Sequence, residues 1–206
     1  QRIDVAAVEA GLLALDAPVS GGDIGARNAT LTIMVGGEEP AFDRMRPALE
    51  VMGSSVVLQG GAGAGQHAKM ANQIAIAGSM LAVVECLVYA KGVGLDPATV
   101  LESVKAGSAS SWSLHNLAPR VLSGDFGPGF YVKHFVKDLE IAIAEAEDNG
   151  LLLPGLELAK RLYRRLLENG GAELGTQALW LLHADAQTKQ EYGVAPEATV
   201  SATAGE

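Results

Sequence analysis

The sequence predicts a short α/β segment followed by an all-α domain, and three observations lead there. Strand-like runs are confined to residues 1–60, helical spacing governs everything beyond Asp96, and one apolar run from Gly63 to Gly94 joins the two regions. Three strands and at most two helices are too few to cover both faces of a sheet, so the first segment reads as incomplete on its own.

The elements follow in order. Ile3 to Ala10 has helical spacing and stops at Gly11, a natural left-handed cap. Leu12 to Leu15 reads as a short buried strand that runs into Asp16 to Gly22 (DAPVSGG) and is halted by proline and glycine. Thr30 to Val35 is the clearest strand, closed by Gly36 and Gly37. Glu38 to Met52 then makes a helix with Phe42, Met45, Leu49 and Met52 on one side. Ser55 to Leu58 is the third strand. The long helix that follows carries a single charge, Glu85, between Ile74 and Ala90, which predicts that it is mostly enclosed by protein. Asp96 and Pro97 form an N-cap and first-turn proline for a helix to about Ala106. Ser110 or Ser111 caps the next, with Trp112, Leu114, Leu117, Val121 and Leu122 on its apolar side. Helices are predicted over Phe135 to Asn149, from Pro154 to Asn169, and from about Thr176 through Leu182. The predicted domains are 1–62, 63–190, and a disordered tail over 191–206, whose residues are small and polar.

Composition narrows the function. Of 206 residues 49% are hydrophobic and 19% charged, which describes a folded protein with a real core. A net charge of -9 without a basic stripe argues against nucleic acid as a partner. Ile74 to Ala90 is short for a membrane span, carries Glu85 and is rich in small residues, so it reads as a core helix. Gln1 to Asp4 lacks the ordered charged and apolar regions of a secretory signal. The lone Cys86 can make no internal disulfide and fits a reducing, cytoplasmic setting.

Strand, glycine loop and helix over residues 55–73 invite a nucleotide reading, but the glycines fall at 60, 61, 63 and 65 and satisfy G-x-G-x-x-G in no register. The chemistry points instead to Lys69, the only positive side chain between Arg46 and Lys91. Asn72 and Gln73 share its helical face, so an ammonium and two amides are offered together to a polar substrate. His67, His115 and His134 form no metal-ligand spacing, and no metal site is expected. Trp112, Phe130 and Tyr131 are candidates for a pocket lining or for core.

Three separated motifs in one order resemble the β-hydroxyacid dehydrogenases, the family of 3-hydroxyisobutyrate dehydrogenase and tartronate semialdehyde reductase. They are residues 16–22 (DAPVSGG), 63–73 (GAGQHAKMANQ) and 135–139 (FVKDL), joined by Leu31 to Gly37 and Leu174 to Leu179. The resemblance covers roughly residues 5–185. It implies the C-terminal part of a Rossmann-like mixed sheet, then a long interdomain helix and a helical bundle, without the N-terminal dinucleotide-binding half and its glycine turn. It further implies NAD or NADP as cofactor, a small carboxylate-bearing substrate held by Ser20, Gly21 and Gly22 with Asn72 or Gln73, Lys69 as the catalytic general acid/base, and Lys137 reaching the cofactor. Many members have asparagine four positions after the lysine; here Asn72 stands at three and Gln73 at four.

The residues suit that chemistry. Oxidising an alcohol beside a carboxylate requires a group that takes the hydroxyl proton, and burial can bring a lysine from about 10.4 toward about 7 to 8. The positive end of the helix is expected to push Lys69 the same way. Consecutive amides in Ser20-Gly21-Gly22 can form an anion-binding concavity. The chain is expected to form a homodimer or homotetramer through its helical domain. A second reading is a truncated, non-catalytic helical module that cannot bind the dinucleotide alone and dimerises through its long apolar helix.

Overall fold

The computed structural model describes residues 2–195, which fall into two compact units that divide in sequence between Ala75 and Ile76. The first unit runs α1 (Arg2–Glu9), β1 (Leu15–Asp16), β2 (Val19–Ser20), α2 (Gly22–Arg27), β3 (Leu31–Gly37), α3 (Glu39–Glu50) and β4 (Gly53–Gly60), and ends in the opening turns of α4 (Ala64–Gly92). The sheet is mixed, as expected: β1 and β2 lie antiparallel to β3, and β4 lies parallel to it.

The first strand differs from expectation. Leu12 and Leu13 are exposed at 63% and 62%, and pairing begins only at Leu15. It then continues through the proline in one register, with Leu15 opposite Gly37 and Ser20 opposite Thr32. Pro18 has no N–H to give, but its carbonyl still accepts from Met34 N at 3.0 Å, so the ladder is thinned there rather than ended. Behind the sheet, Ile33 and Val35 of β3 pack with Phe42 and Leu49 of α3 and with Leu15, Ala17, Val56 and Leu58. Each fully buried aliphatic side chain in such a cluster contributes about 1.5–3 kcal/mol relative to exposure. Met45 and Met52, from the same predicted stripe, stay 45% and 47% exposed.

At 1.5 Å per residue α4 is about 44 Å long. It is enclosed on one side only, which corrects the expectation of a mostly buried rod. Gln73, Ala77, Met80, Val84 and Leu87 are buried at steps of three and four, whereas Ala75, Gly78, Ala82, Glu85 and Tyr89 are exposed at the same steps. Low charge is compatible with either side when three of those five exposed residues are alanine or glycine.

The second unit continues α4 and adds α5 (Pro97–Lys105), α6 (Trp112–Asn116), α7 (Ala118–Leu122), α8 (Val132–Asp148), α9 (Pro154–Glu168), a 3₁₀ turn (Gly171–Glu173), a 3₁₀ helix (Thr176–His183) and α10 (Ala186–Glu191). Asp96 caps α5 by accepting from Ala98 N and Thr99 N, and the Ser111 hydroxyl caps α6 by accepting from Leu114 N. The segment from Thr176 is a 3₁₀ helix where an α-helix was expected. Its burial repeats in threes, Ala178 with Leu181 and Leu179 with Leu182, and a helix of three residues per turn stacks those pairs. Phe135, Leu139, Tyr163, Leu166, Leu179 and Leu181 form the centre of this unit, each at most 1% exposed. Of the expected tail, residues 196–206 lie outside the described residues. Before them the Tyr192 hydroxyl donates to Gly124 O at 2.7 Å, and Val194 is 1% exposed.

Candidate functional site

The site in the first unit is built around Asp16, a residue that sequence reasoning placed in a motif without giving it a task. Its Oδ1 accepts from Gly63 N at 2.6 Å and its Oδ2 from Gln66 N at 2.9 Å. Helix starts leave up to four amides unpaired, and this carboxylate takes two of those around the start of α4. Gly36 and Gly65 leave room for it. A Cβ added at Gly36 would stand 2.5 Å from Oδ1, and one added at Gly65 would stand 2.7 Å from Oδ2 and 2.4 Å from Met34 O.

The carboxylate thus occupies the start of α4. A pyrophosphate at the Gly60 to Gly65 loop would meet that same carboxylate and would find Gly63 N and Gln66 N already engaged. The residues of this loop therefore do not fit a dinucleotide.

Four residues beyond Asp16 along the same edge of the sheet, Ser20 ends β2 half-buried, and Gly21 and Gly22 turn the chain into α2. Both glycines have positive φ, 126° and 63°, a backbone conformation that residues other than glycine rarely adopt. The turn is therefore held in a shape that depends on its sequence. Both glycines are exposed.

Lys69 lies three residues past Gln66 on α4, about 4.5 Å further along the axis, and is half-buried. The two amides behind it differ. Gln73 is 1% exposed, and its Oε1 accepts from Asn72 Nδ2 at 2.9 Å, while Asn72 itself stays half-buried.

Lys137 lies in the second unit on α8, where its Nζ pairs with Asp138 Oδ1 at 2.7 Å. The lysine side chain is 62% exposed and the carboxylate 9%. In that unit Trp112 is 70% exposed, whereas Phe130 meets Phe135 edge-on at 6.0 Å and Tyr131 lies under Lys133 Nζ at 5.1 Å. His115 Nδ1 sits 3.0 Å from Ser111 O, and the His134 ring packs against Phe130 and Tyr131. Among the described residues no group of three His, Cys, Asp or Glu could hold a metal ion.

Comparison with known proteins adds the rest. Residues 63–182 match the family model described as the NAD-binding domain of NADP-dependent 3-hydroxyisobutyrate dehydrogenase, and residues 1–61 match that of the NAD-binding domain of 6-phosphogluconate dehydrogenase. An uncharacterised oxidoreductase of Bacillus subtilis, YkwC, is 56% identical over 88% of this chain and 63% of its own length. The 2-hydroxy-3-oxopropionate reductase of Escherichia coli is 43% identical over 80% of this chain and 56% of its own. Among solved structures, the 3-hydroxyisobutyrate dehydrogenase of Mycobacterium tuberculosis with L-serine superposes with a TM-score of 0.83 at 32% identity, over 89% of this chain and 65% of that one. The chain thus spans less than two thirds of the length of these relatives.

Proposed function

The chain belongs to the β-hydroxyacid dehydrogenase family, and from that premise we propose that the whole protein is an NAD(P)-dependent oxidoreductase interconverting a small 3-hydroxy acid with its semialdehyde or keto acid. The observation that carries this reading is the joint suspension of two segments from Asp16: the Ser20-Gly21-Gly22 turn on its strand and the Lys69 helix on its carboxylate. The chemistry supplied by the nicotinamide is hydride exchange, and no step of it is assigned to residues of this chain.

This chain's own part is binding and proton transfer. The Ser20 hydroxyl and the amides of the glycine turn hold the substrate carboxylate. Lys69 Nζ takes the hydroxyl proton during oxidation and returns it during reduction. Asn72 is the amide offered to substrate, and Gln73, drawn into the protein, holds it in place. Lys137 is the residue of the helical unit assigned to the cofactor. Steady-state assays of the full-length protein with both cofactors, on 2-hydroxy acids, 3-hydroxy acids and alcohols lacking a carboxylate, test the proposal. The expected result is a kcat/KM at least about 10²-fold higher for a 3-hydroxy acid than for the alcohol without its carboxylate, because a polar subsite left unfilled rejects the analogue. Equal rates on the two would remove the assigned role of the turn.

The exposed row of α4 supports a second element of the reading. Gly78, Ala82, Glu85 and Tyr89 follow steps of four, three and four, the spacing of a helix seam, and Tyr89 is 69% exposed. We assign this row to a homo-oligomeric contact. Light scattering is expected to give a dimer or tetramer that Gly78→Arg reduces to monomer, and a wild-type monomer would refute the assignment. The non-catalytic reading would be favoured if the 206-residue chain oligomerised but bound neither NAD(H) nor NADP(H).

A further inference from the structure

We propose that Asp16 is a positioning residue for catalysis: its carboxylate fixes the distance between the turn that holds the substrate carboxylate and the lysine that moves the proton. The inference rests on the reading of Lys69 and Ser20-Gly21-Gly22 given above. Its grounds are separate and geometric.

Asp16 belongs to the sheet through its backbone, opposite Gly36 on β3, and to α4 through both side-chain oxygens, on Gly63 N and Gln66 N. Bonds from amides to an ionised carboxylate are roughly twice as strong as neutral ones, and two on one short side chain leave it little freedom. The seat admits no slack, since an added Cβ at either Gly36 or Gly65 would intrude on the carboxylate within 2.8 Å. From this anchor the strand runs four residues to Ser20 and the helix three residues past Gln66 to Lys69. Those paths are about 13 Å along the strand and about 4.5 Å along the helix. The helical path is regular, and the path to Ser20 keeps one register with β3 across the break at Ala17 and Pro18, so a shift at the anchor is carried toward both groups. The anchor also repels anions from the start of α4, which leaves the substrate carboxylate to the glycine turn.

A merely structural cap would cost stability and nothing else. The discriminating variants are Asp16→Asn, which keeps an acceptor for one of the two amides, and Gln66→Pro, which removes the second donor with Asp16 intact at a first-turn position where proline is tolerated. In the full-length protein, assayed well below its melting temperature, each is expected to lower kcat about 10²-fold, the scale of an ångström-sized misplacement, with the KM for the cofactor unchanged. In a Lys69→Ala background Asp16→Asn is expected to cost no more than a further factor of about 2, because it acts through the lysine. Unchanged kcat in either folded variant, or an equal loss in both backgrounds, overturns the proposal. If Lys69→Ala itself keeps full turnover, the role of the lysine falls and this proposal falls with it; if Lys69→Ala loses turnover and Asp16→Asn does not, only the proposal falls. Should Asp16→Asn fail to fold, Gln66→Pro decides alone.

Discussion

Replacing Lys69 with alanine in the full-length protein is expected to lower kcat by about 10³-fold while the KM for the hydroxy acid changes by less than about 5-fold. General acid–base groups contribute about 10²–10⁴ in rate, and the expected loss is the middle of that range. Alanine is the best helix former, so α4 keeps its geometry and the loss cannot be assigned to unfolding. Substrate affinity is kept because the carboxylate is assigned to Ser20-Gly21-Gly22, on another element. Lys69→Arg is expected to be as inactive as alanine, since a guanidinium keeps its proton at every working pH. Small primary amines added to the alanine variant should restore part of the rate, a readout that a structural lysine would not give. Turnover within tenfold of wild type in Lys69→Ala would end the assignment.

The second large effect is on stability. Tyr163→Ala is expected to destabilise the helical unit by about 3–5 kcal/mol, read as a lowered midpoint in urea at unchanged slope. Tyr163 is fully buried on α9, meets Phe135 edge-on at 4.9 Å and donates its hydroxyl to Thr176 O at 2.9 Å. Burial pushes the phenol well above its ordinary value, so it remains a neutral donor across the accessible pH range. Tyr163→Phe keeps the packing and loses the bond; its cost is expected near 1–3 kcal/mol, because Thr176 O is left without that donor in the interior. The difference between the two variants isolates the ring. A loss under about 1 kcal/mol for Tyr163→Ala would mean that the centre of this unit collapses around the gap.

The sequence revealed most where partners are close along the chain. Asp96 caps amides two and three residues away and was legible as a cap on sight. Asp16 performs the same task for amides 47 and 50 residues away, and no local pattern announces that. One local signal does bear on it: an acidic side chain inside an apolar strand needs a partner, and Asp16 follows Leu15 in such a strand. Pro18 signals a stop because it lacks a donor, yet a ladder also runs on acceptors. The 3₁₀ form of Thr176–His183 was hidden because an apolar run fits either helical period until its packing partners are known. For α4, a low count of charges suggests burial, but an exposed row made mostly of alanine and glycine, with Glu85 its one charge between Ile74 and Ala90, keeps that count low as well. The three motif segments were legible because their residue types are tied to chemistry; the difference between Asn72 and Gln73 was not, since only burial separates them.

The seat formed by Asp16, Gly36 and Gly65 also bears on how this fold can be redesigned. Enlarging either glycine evicts the carboxylate, and shortening the aspartate leaves a gap that the glycines cannot fill. Their effects will not add, so scanning the three positions one at a time would score each as immutable while missing triple replacements that work. Libraries aimed at new substrates should vary them together or leave all three alone.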